Sequence, residues 1–230
     1  MAFLSNGVNI QQGLSGSGWA GYSSAPAGTI NYISGNYYYH NTTQHAGGSA
    51  VGGYAIPLGV RKVTLTVHNW NLNTGSMDPW EVGLMITTGS STQTSGYYGQ
   101  HQLHDGNANT ANNATPPASH VKYTSSTAIR VPWGQAGFAT NLTMECRRMT
   151  AWTGIAPNLA TETANARWNI NYWGTTGAAG NAAGTNVYMF EGHFVQTALS
   201  GGSIRGFQLK TPNSVNTTFT FDSLSVHWDF

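Results

Sequence analysis

The stretch from Ser203 to Phe230 constrains the fold of this chain more than any other. Phe219 and Phe221 alternate with Thr218 and Thr220, the period of a strand with one buried face. Beyond Asp222-Ser223 the apolar positions change parity, to Leu224, Val226, Trp228 and Phe230. Successive side chains in a strand point to opposite faces, so one inserted residue moves every later side chain across the sheet. The pattern therefore predicts a β-bulge or tight turn at Asp222-Ser223. The apolar set runs on to Phe230 without a polar tail, as expected of a strand locked into a sheet and completing it.

The same period recurs along the chain. Tyr37-Tyr38-Tyr39-His40 opens the first sheet material, and a turn rich in glycine (Gly47, Gly48, Gly52, Gly53) leads to Tyr54-Ala55-Ile56-Pro57. Val63, Leu65 and Val67 alternate with Thr64, Thr66 and His68, and Trp80, Val82, Leu84 and Ile86 repeat the pattern beyond an Asn-rich connection. Two alternating runs joined by a turn-forming loop predict an antiparallel pair. Residues 121–123 and 129–131 read as short strands, the second closed by Pro132.

Between Thr140 and Trp152, Leu142, Cys146, Met149 and Trp152 suit a helical face while Leu142, Met144 and Cys146 suit a strand. The β surroundings decide for strand. Trp168, Ile170 and Tyr172 alternate with Asn169 and Asn171. From Val187 to Val195 both faces carry apolar residues: Tyr188, Phe190 and Phe194 on one, Val187, Met189 and Val195 on the other. That predicts a central strand covered on both sides. Residues 88–119 are low in complexity and sparsely charged, which predicts a long exposed loop with a functional or assembly role.

These elements predict an all-β chain: an antiparallel β-sandwich, jelly-roll-like, over residues 37–230, with long Gly/Asn-rich loops. Residues 1–36, rich in Gly, Ser and Asn, read as an extended N-terminal arm, either disordered or, the favoured reading, ordered by lying on a neighbouring subunit. There is no internal repeat and no heptad pattern.

Composition narrows the function. Charged residues make up 7% of the chain, against roughly 25% in ordinary soluble domains. Asn, Thr and Ser stand where Lys and Glu usually do, beside 29 glycines, a bias toward turns and strands. The resulting surface of uncharged polar groups suits stacking in an assembly or facing carbohydrate. A formal charge of +1 excludes a nucleic-acid partner, which needs a clustered basic face. The adjacent cations Arg61-Lys62 and Arg147-Arg148 read as solvated strand edges. Cys146, the single cysteine, excludes an internal disulfide framework and, beside Met144 and Met149, reads as a buried hydrophobe. No apolar run of about 18 residues predicts membrane insertion. The start M-A-F-L-S-N-G lacks the basic and apolar regions of a signal peptide, so synthesis in a cytoplasm is expected.

Catalytic and metal chemistry find little purchase. His101 and His104 in H-Q-L-H, like His40 and His45, lie in loop-like contexts without a cysteine or carboxylate set, so no metal site and no cofactor is expected. Glycoside hydrolysis needs two carboxylates facing one cleft. Glu191, two residues before His193, reads instead as a buried, hydrogen-bonded acid. No nucleophile-elbow, zinc-protease or phosphate-loop motif is present. The chain therefore reads as non-enzymatic.

The aromatics carry more. Tyr37, Tyr38, Tyr39, Tyr97 and Tyr98 cluster in or beside predicted loops, and Trp133, Trp152 and Trp173 lie next to or within two residues of a glycine. Exposed flat rings stack on sugar faces while Asn and Gln bond hydroxyls; the same rings also fill sandwich ends and subunit interfaces. The contact candidates for a glycan or receptor are Tyr37, Tyr38, Tyr39, Tyr97, Tyr98, Trp133 and Trp173.

Several segments resemble β-rich structural proteins of tailed-bacteriophage virions. These are G-N-Y-Y-Y-H-N-T-T-Q, G-G-Y-A-I-P-L-G-V-R-K-V-T-L and W-E-V-G-L-M-I-T-T-G within Gly35–Gly89. The closing S-I-R-G-F-Q-L and N-T-T-F-T-F-D-S-L-S-V in Ser203–Phe230 belong with them. The resemblance implies a non-enzymatic protein displayed on the particle surface. It would be a capsid decoration protein or, close behind, a tail-fibre or receptor-binding protein. A homotrimer touching other capsid or tail proteins, and in some cases a host surface glycan, is what it further implies. The alternative from another class is a lectin-like carbohydrate-binding module on the same fold.

Overall fold

The computed structural model describes residues 20–24, 36–39, 56, 60–72, 78–86, 91–105, 120–134, 138–149, 166–178, 187–210 and 219–229. Within them the chain is all-β. The strands are β1 (Ala20–Ser24), β2 (Asn36–Tyr39), β3 (Lys62–Leu72), β4 (Asp78–Met85), β5 (Tyr97–Asp105), β6 (His120–Ser126) and β7 (Ile129–Gly134). They continue as β8 (Phe138–Met149), β9 (Ala166–Ala178), β10 (Val187–Leu199), β11 (Gly206–Lys210), β12 (Phe219–Thr220) and β13 (Ser223–Asp229). A nine-stranded sheet has the order β1-β13-β3-β8-β9-β10-β5-β6, with β12 also paired to β3. A four-stranded sheet has the order β2-β11-β4-β7. The two antiparallel sheets form the expected β-sandwich.

Alternation explains which face is buried. Val63, Leu65 and Val67 on β3, Leu142, Met144 and Cys146 on β8, and Trp168, Ile170 and Tyr172 on β9 are all buried. Leu224, Val226 and Trp228 on β13 join the same core. Cys146 is fully buried, and burial pushes its thiol up, as a small hydrophobe requires. The ambiguous segment before Trp152 is strand over Phe138–Met149; Trp152 lies outside the described residues.

The parity switch in the closing stretch has a partner on β3. Val67 faces Leu142 of β8 but Trp70 faces Thr140, so β3 carries one residue more than β8 between these pairs. Between Asn71 and His68, β3 matches Thr220 to Ser223 step for step, so the extra residue is shared by the closing segment. Phe221 and Leu224 are accordingly both buried, three positions apart, as are Val67 and Trp70. The bulge at Asp222-Ser223 is thus half of a double irregularity. Its other half is Asn69, at φ 51°. The backbone N–H of Asn69 donates to Asn141 Oδ1 at 3.0 Å, and its side-chain amide donates to Asp222 Oδ2 at 2.8 Å. Asn tolerates the left-handed region better than other residues with a Cβ. Asn69→Ala is therefore expected to lose about 1–2 kcal/mol in urea unfolding, from backbone strain plus the amide bond, and Asn69→Gly less.

Several expectations change. β3 and β4 do not pair with each other: β3 lies in the large sheet, β4 in the small one between β11 and β7. Glu81 to Met85 are buried without alternation, because β4 is an interior strand covered on both faces. The region expected as one long loop contains β5, an interior strand of the large sheet; residues 106–119 lie outside the described residues. Pro132 does not close β7, which runs to Gly134 as the sheet edge, where a missing N–H breaks no ladder. β10 is central but covered on one face only, with Val187 and Met189 half-exposed. Within the predicted arm, Ala20–Ser24 pairs with β13 of its own chain.

Candidate functional site on the outer face of the large sheet

The residues between the buried ones on β5, β6, β9 and β10 point away from the core, and cross-strand register sets them in rows. Asn171, His193, Gln100 and Lys122 form one row. Trp173, Glu191, Gln102 and His120 form the next. An open cleft of ≈ 400 Å³ lies over these rows, within the size range of ligand sites. His101, Tyr172 and Gly192 complete its lining. Gly192 is required there: a Cβ would stand 2.1 Å from the Tyr172 ring, which crosses beneath it.

The polar groups are oriented before any ligand arrives. His193 Nδ1 donates to Asn171 Oδ1 at 2.7 Å, leaving the Asn171 amide N–H groups and the His193 Nε2 lone pair for other partners. His120 Nε2 donates to Gln100 Oε1 at 3.3 Å, leaving the Gln100 amide N–H groups. Gln102 adds a third amide and Glu191 an acceptor, both exposed. The face thus mixes donors and acceptors around one half-exposed indole, Trp173.

Glu191 is not the buried acid expected. Its side chain is 66% exposed and reaches His104 Nε2 at 3.7 Å, across the strand pair. Among the described lining residues it is the single carboxylate, so the facing pair that glycoside hydrolysis requires is not assembled here. His101 and His104 sit on β5, three positions apart, and so project from opposite faces; among the described residues no cluster of three or more ligating side chains could hold a metal. His40 and His45 lie outside the described residues. The cations Lys62 and Arg147 are cross-strand neighbours bridged by Glu145, 2.9 Å from Lys62.

The contact candidates separate. Trp173 lines the cleft. Tyr98, 45% exposed, stands on the same face but outside the lining, in the row of Val195 and Asn169. Tyr97 is fully buried and belongs to the core: its hydroxyl accepts the Leu84 N–H at 3.1 Å and donates to the Gln93 carbonyl at 3.3 Å, linking the two sheets. Burial raises its phenol far above the ordinary range, so Tyr97 is no sugar platform. Tyr37, Tyr38 and Tyr39 lie on β2 and Trp133 on β7; their side chains are outside the described residues. Asn171, His193, Gln100, Gln102 and Glu191 carry the cleft, and none of them is among the contacts that sequence reasoning selects. The one signal of Asn171, Glu191 and His193 in the sequence is their polar place between the core positions of β9 and β10; Gln100 and Gln102 lie on β5, within the stretch expected as a loop.

Beneath the cleft, His101 is buried, with Nδ1 3.4 Å from the Arg130 carbonyl. Burial holds its imidazole below the ordinary value; the Arg130 carbonyl opposes that and His120 adds to it. A base depressed in the fold binds fewer protons folded than unfolded, so stability falls as the pH falls. It is complete above about 6.5, the unfolded histidine value, and declines below it until the folded value is reached. The urea midpoint is expected to be lower at pH 5 than at pH 7.5, and His101→Gln to flatten that difference. An unchanged pH dependence in His101→Gln would assign the loss elsewhere.

No protein-family model matches the chain, and a search of curated proteins finds no significant match. The likeness to phage virion proteins therefore rests on the segments quoted from the sequence.

Proposed function

We propose that the chain is a non-enzymatic structural protein of a tailed-bacteriophage virion, displayed on the particle surface, with the outer face of its nine-stranded sheet as the contact surface. The observation that carries this reading is the face itself. The cleft is lined by uncharged amides, imidazoles and one indole, with a single carboxylate among the described lining residues and Lys122 just outside them at the β6 end of one row. Such a surface recognises rather than transforms. The phage-like segments toward both ends of the chain supply the particle context, and the open cleft favours receptor contact over passive capsid decoration.

Symmetric assembly is the test. Light scattering of the purified chain at micromolar concentration is expected to give a stable trimer, and antibodies against it to label intact particles. A monomer would overturn the particle-component reading. It would leave the lectin-like module, which Trp173 and its amide neighbours support independently.

A further inference from the structure

We propose that the outer-face cleft binds a neutral oligosaccharide, laid across β9, β10, β5 and β6 with one sugar ring stacked on Trp173. The inference rests on reading this face as the contact surface, but not on the particle to which the chain belongs. Three observations lead to it.

The first is the chemistry of the lining. A polyhydroxylated ligand both donates and accepts through each hydroxyl. The cleft offers amide donors from Asn171 and Gln100, an imidazole acceptor from His193, and both functions from Gln102. Because His193 is already bonded to Asn171, and His120 to Gln100, these groups are held in place and lose little freedom on binding. A peptide adding as a strand would instead pair along the edge of β6, away from Trp173 on β9; β9, β10 and β5 are interior strands.

The second is the aromatic. Trp173 is 48% exposed on a strand whose alternate residues are core, so its ring stands on the sheet as a platform, not as a plug. An indole exposed beside Asn171 and Glu191 pairs an apolar face with polar neighbours. That is what the C–H face and hydroxyl rim of a pyranose require.

The third is extent and charge. Trp173 and His120 occupy one row, three strand spacings apart. At about 4.8 Å per spacing the row spans about 14 Å, which outruns a single sugar ring. Among the described residues no Lys or Arg lines the cleft, and Glu191 is its only carboxylate. In Trp173's own row Glu191 is the one charged residue, and Lys122 stands at the β6 end of the neighbouring row, so a uronic or sialic acid stacked on Trp173 would meet like charge first, which favours neutral sugars.

The experiment uses the full chain on an array of neutral oligosaccharides and their sialylated or uronic-acid-containing counterparts, followed by calorimetry on the best binder. Neutral oligosaccharides are expected to bind, and longer ones better than the matching monosaccharide. Trp173→Ala is expected to weaken binding by roughly 10-fold or more, with Trp173→Phe intermediate. Asn171→Ala is expected to weaken binding less, and Met189→Ala, exposed on the same face but outside the lining, to leave it unchanged. Far-ultraviolet dichroism and solution mass of Trp173→Ala should match the parent. No binding to any glycan, binding to acidic glycans alone, or binding indifferent to Trp173 would each overturn the inference. Because the trimer is read by scattering and the ligand by the array, loss of one result leaves the other standing.

Discussion

Gly174→Ala is expected to destabilise the fold by about 3 kcal/mol or more, lowering the melting temperature by about 6–12 °C for a domain of this size. Gly174 sits inside the large sheet, opposite Leu142 of β8 and Phe190 of β10. A Cβ there would stand 1.9 Å from the carbonyl oxygen of Asn141 and 2.6 Å from Phe190 Cζ. A side chain could swing aside, but a ladder carbonyl cannot, so relief requires β8 to shift or Phe190 to leave the core. The shift would spread, because Asn141 also accepts the Asn69 N–H that closes the bulge on β3. Gly201→Ala is the control. That residue has φ +73°, but a Cβ there would meet nothing within 4 Å, so only backbone strain of about 1 kcal/mol is expected. Thermal unfolding of the two variants side by side checks the contrast. Equal, small losses would mean that β8 and β9 are not this close.

The contrast between these glycines shows what alternation alone conveys. Where successive buried positions are large and apolar, as with Trp168, Ile170 and Tyr172 on β9, the sequence reads correctly as strand and face. β5 escapes that reading for a physical reason. Its inward positions are Tyr97, Gly99, His101 and Leu103, and two of the four are not apolar, so the period is masked. Gly99 is tolerated inward because a Cβ would collide with the Phe194 ring, 2.5 Å away, which fills the space instead. β10 misleads in the opposite sense: Val187 and Met189 look like a second covered face but are half-exposed. The closing parity switch is legible, yet its matching irregularity at Asn69 is not, since no local pattern announces a positive φ. The cleft is hidden more deeply. Asn171, His193 and Gln100 meet only because β9, β10 and β5 are neighbours in the sheet. Of its contacts, only Trp173 announces itself, as an aromatic beside glycine.

Trp70 and Trp80 carry the second large effect. Both are fully buried, and their rings stack at 4.2 Å between centroids with 22° between planes. Either Trp→Ala change is expected to cost about 3–5 kcal/mol. The double variant should lose less than the sum by about 0.5–1.5 kcal/mol, the part of the stack beyond area burial. The same two residues would also face each other if β3 and β4 formed the hairpin that alternation suggests, because the Asn-rich connection lies midway between them. Sequence alone therefore cannot distinguish neighbours within a sheet from neighbours across the sandwich. A second cycle does. Trp80 Nε1 donates to Thr140 Oγ1 at 3.3 Å, and Thr140 sits on β8, beyond β3 from any hairpin partner. Thr140 Oγ1 is in turn 3.0 Å from Thr176 Oγ1 on β9, so the indole is anchored to the middle of the opposing sheet. Trp80→Phe combined with Thr140→Val should show a coupling of about 1 kcal/mol in denaturant unfolding. Strictly additive losses would place Trp80 within β3's own sheet and remove the inter-sheet stack from the core.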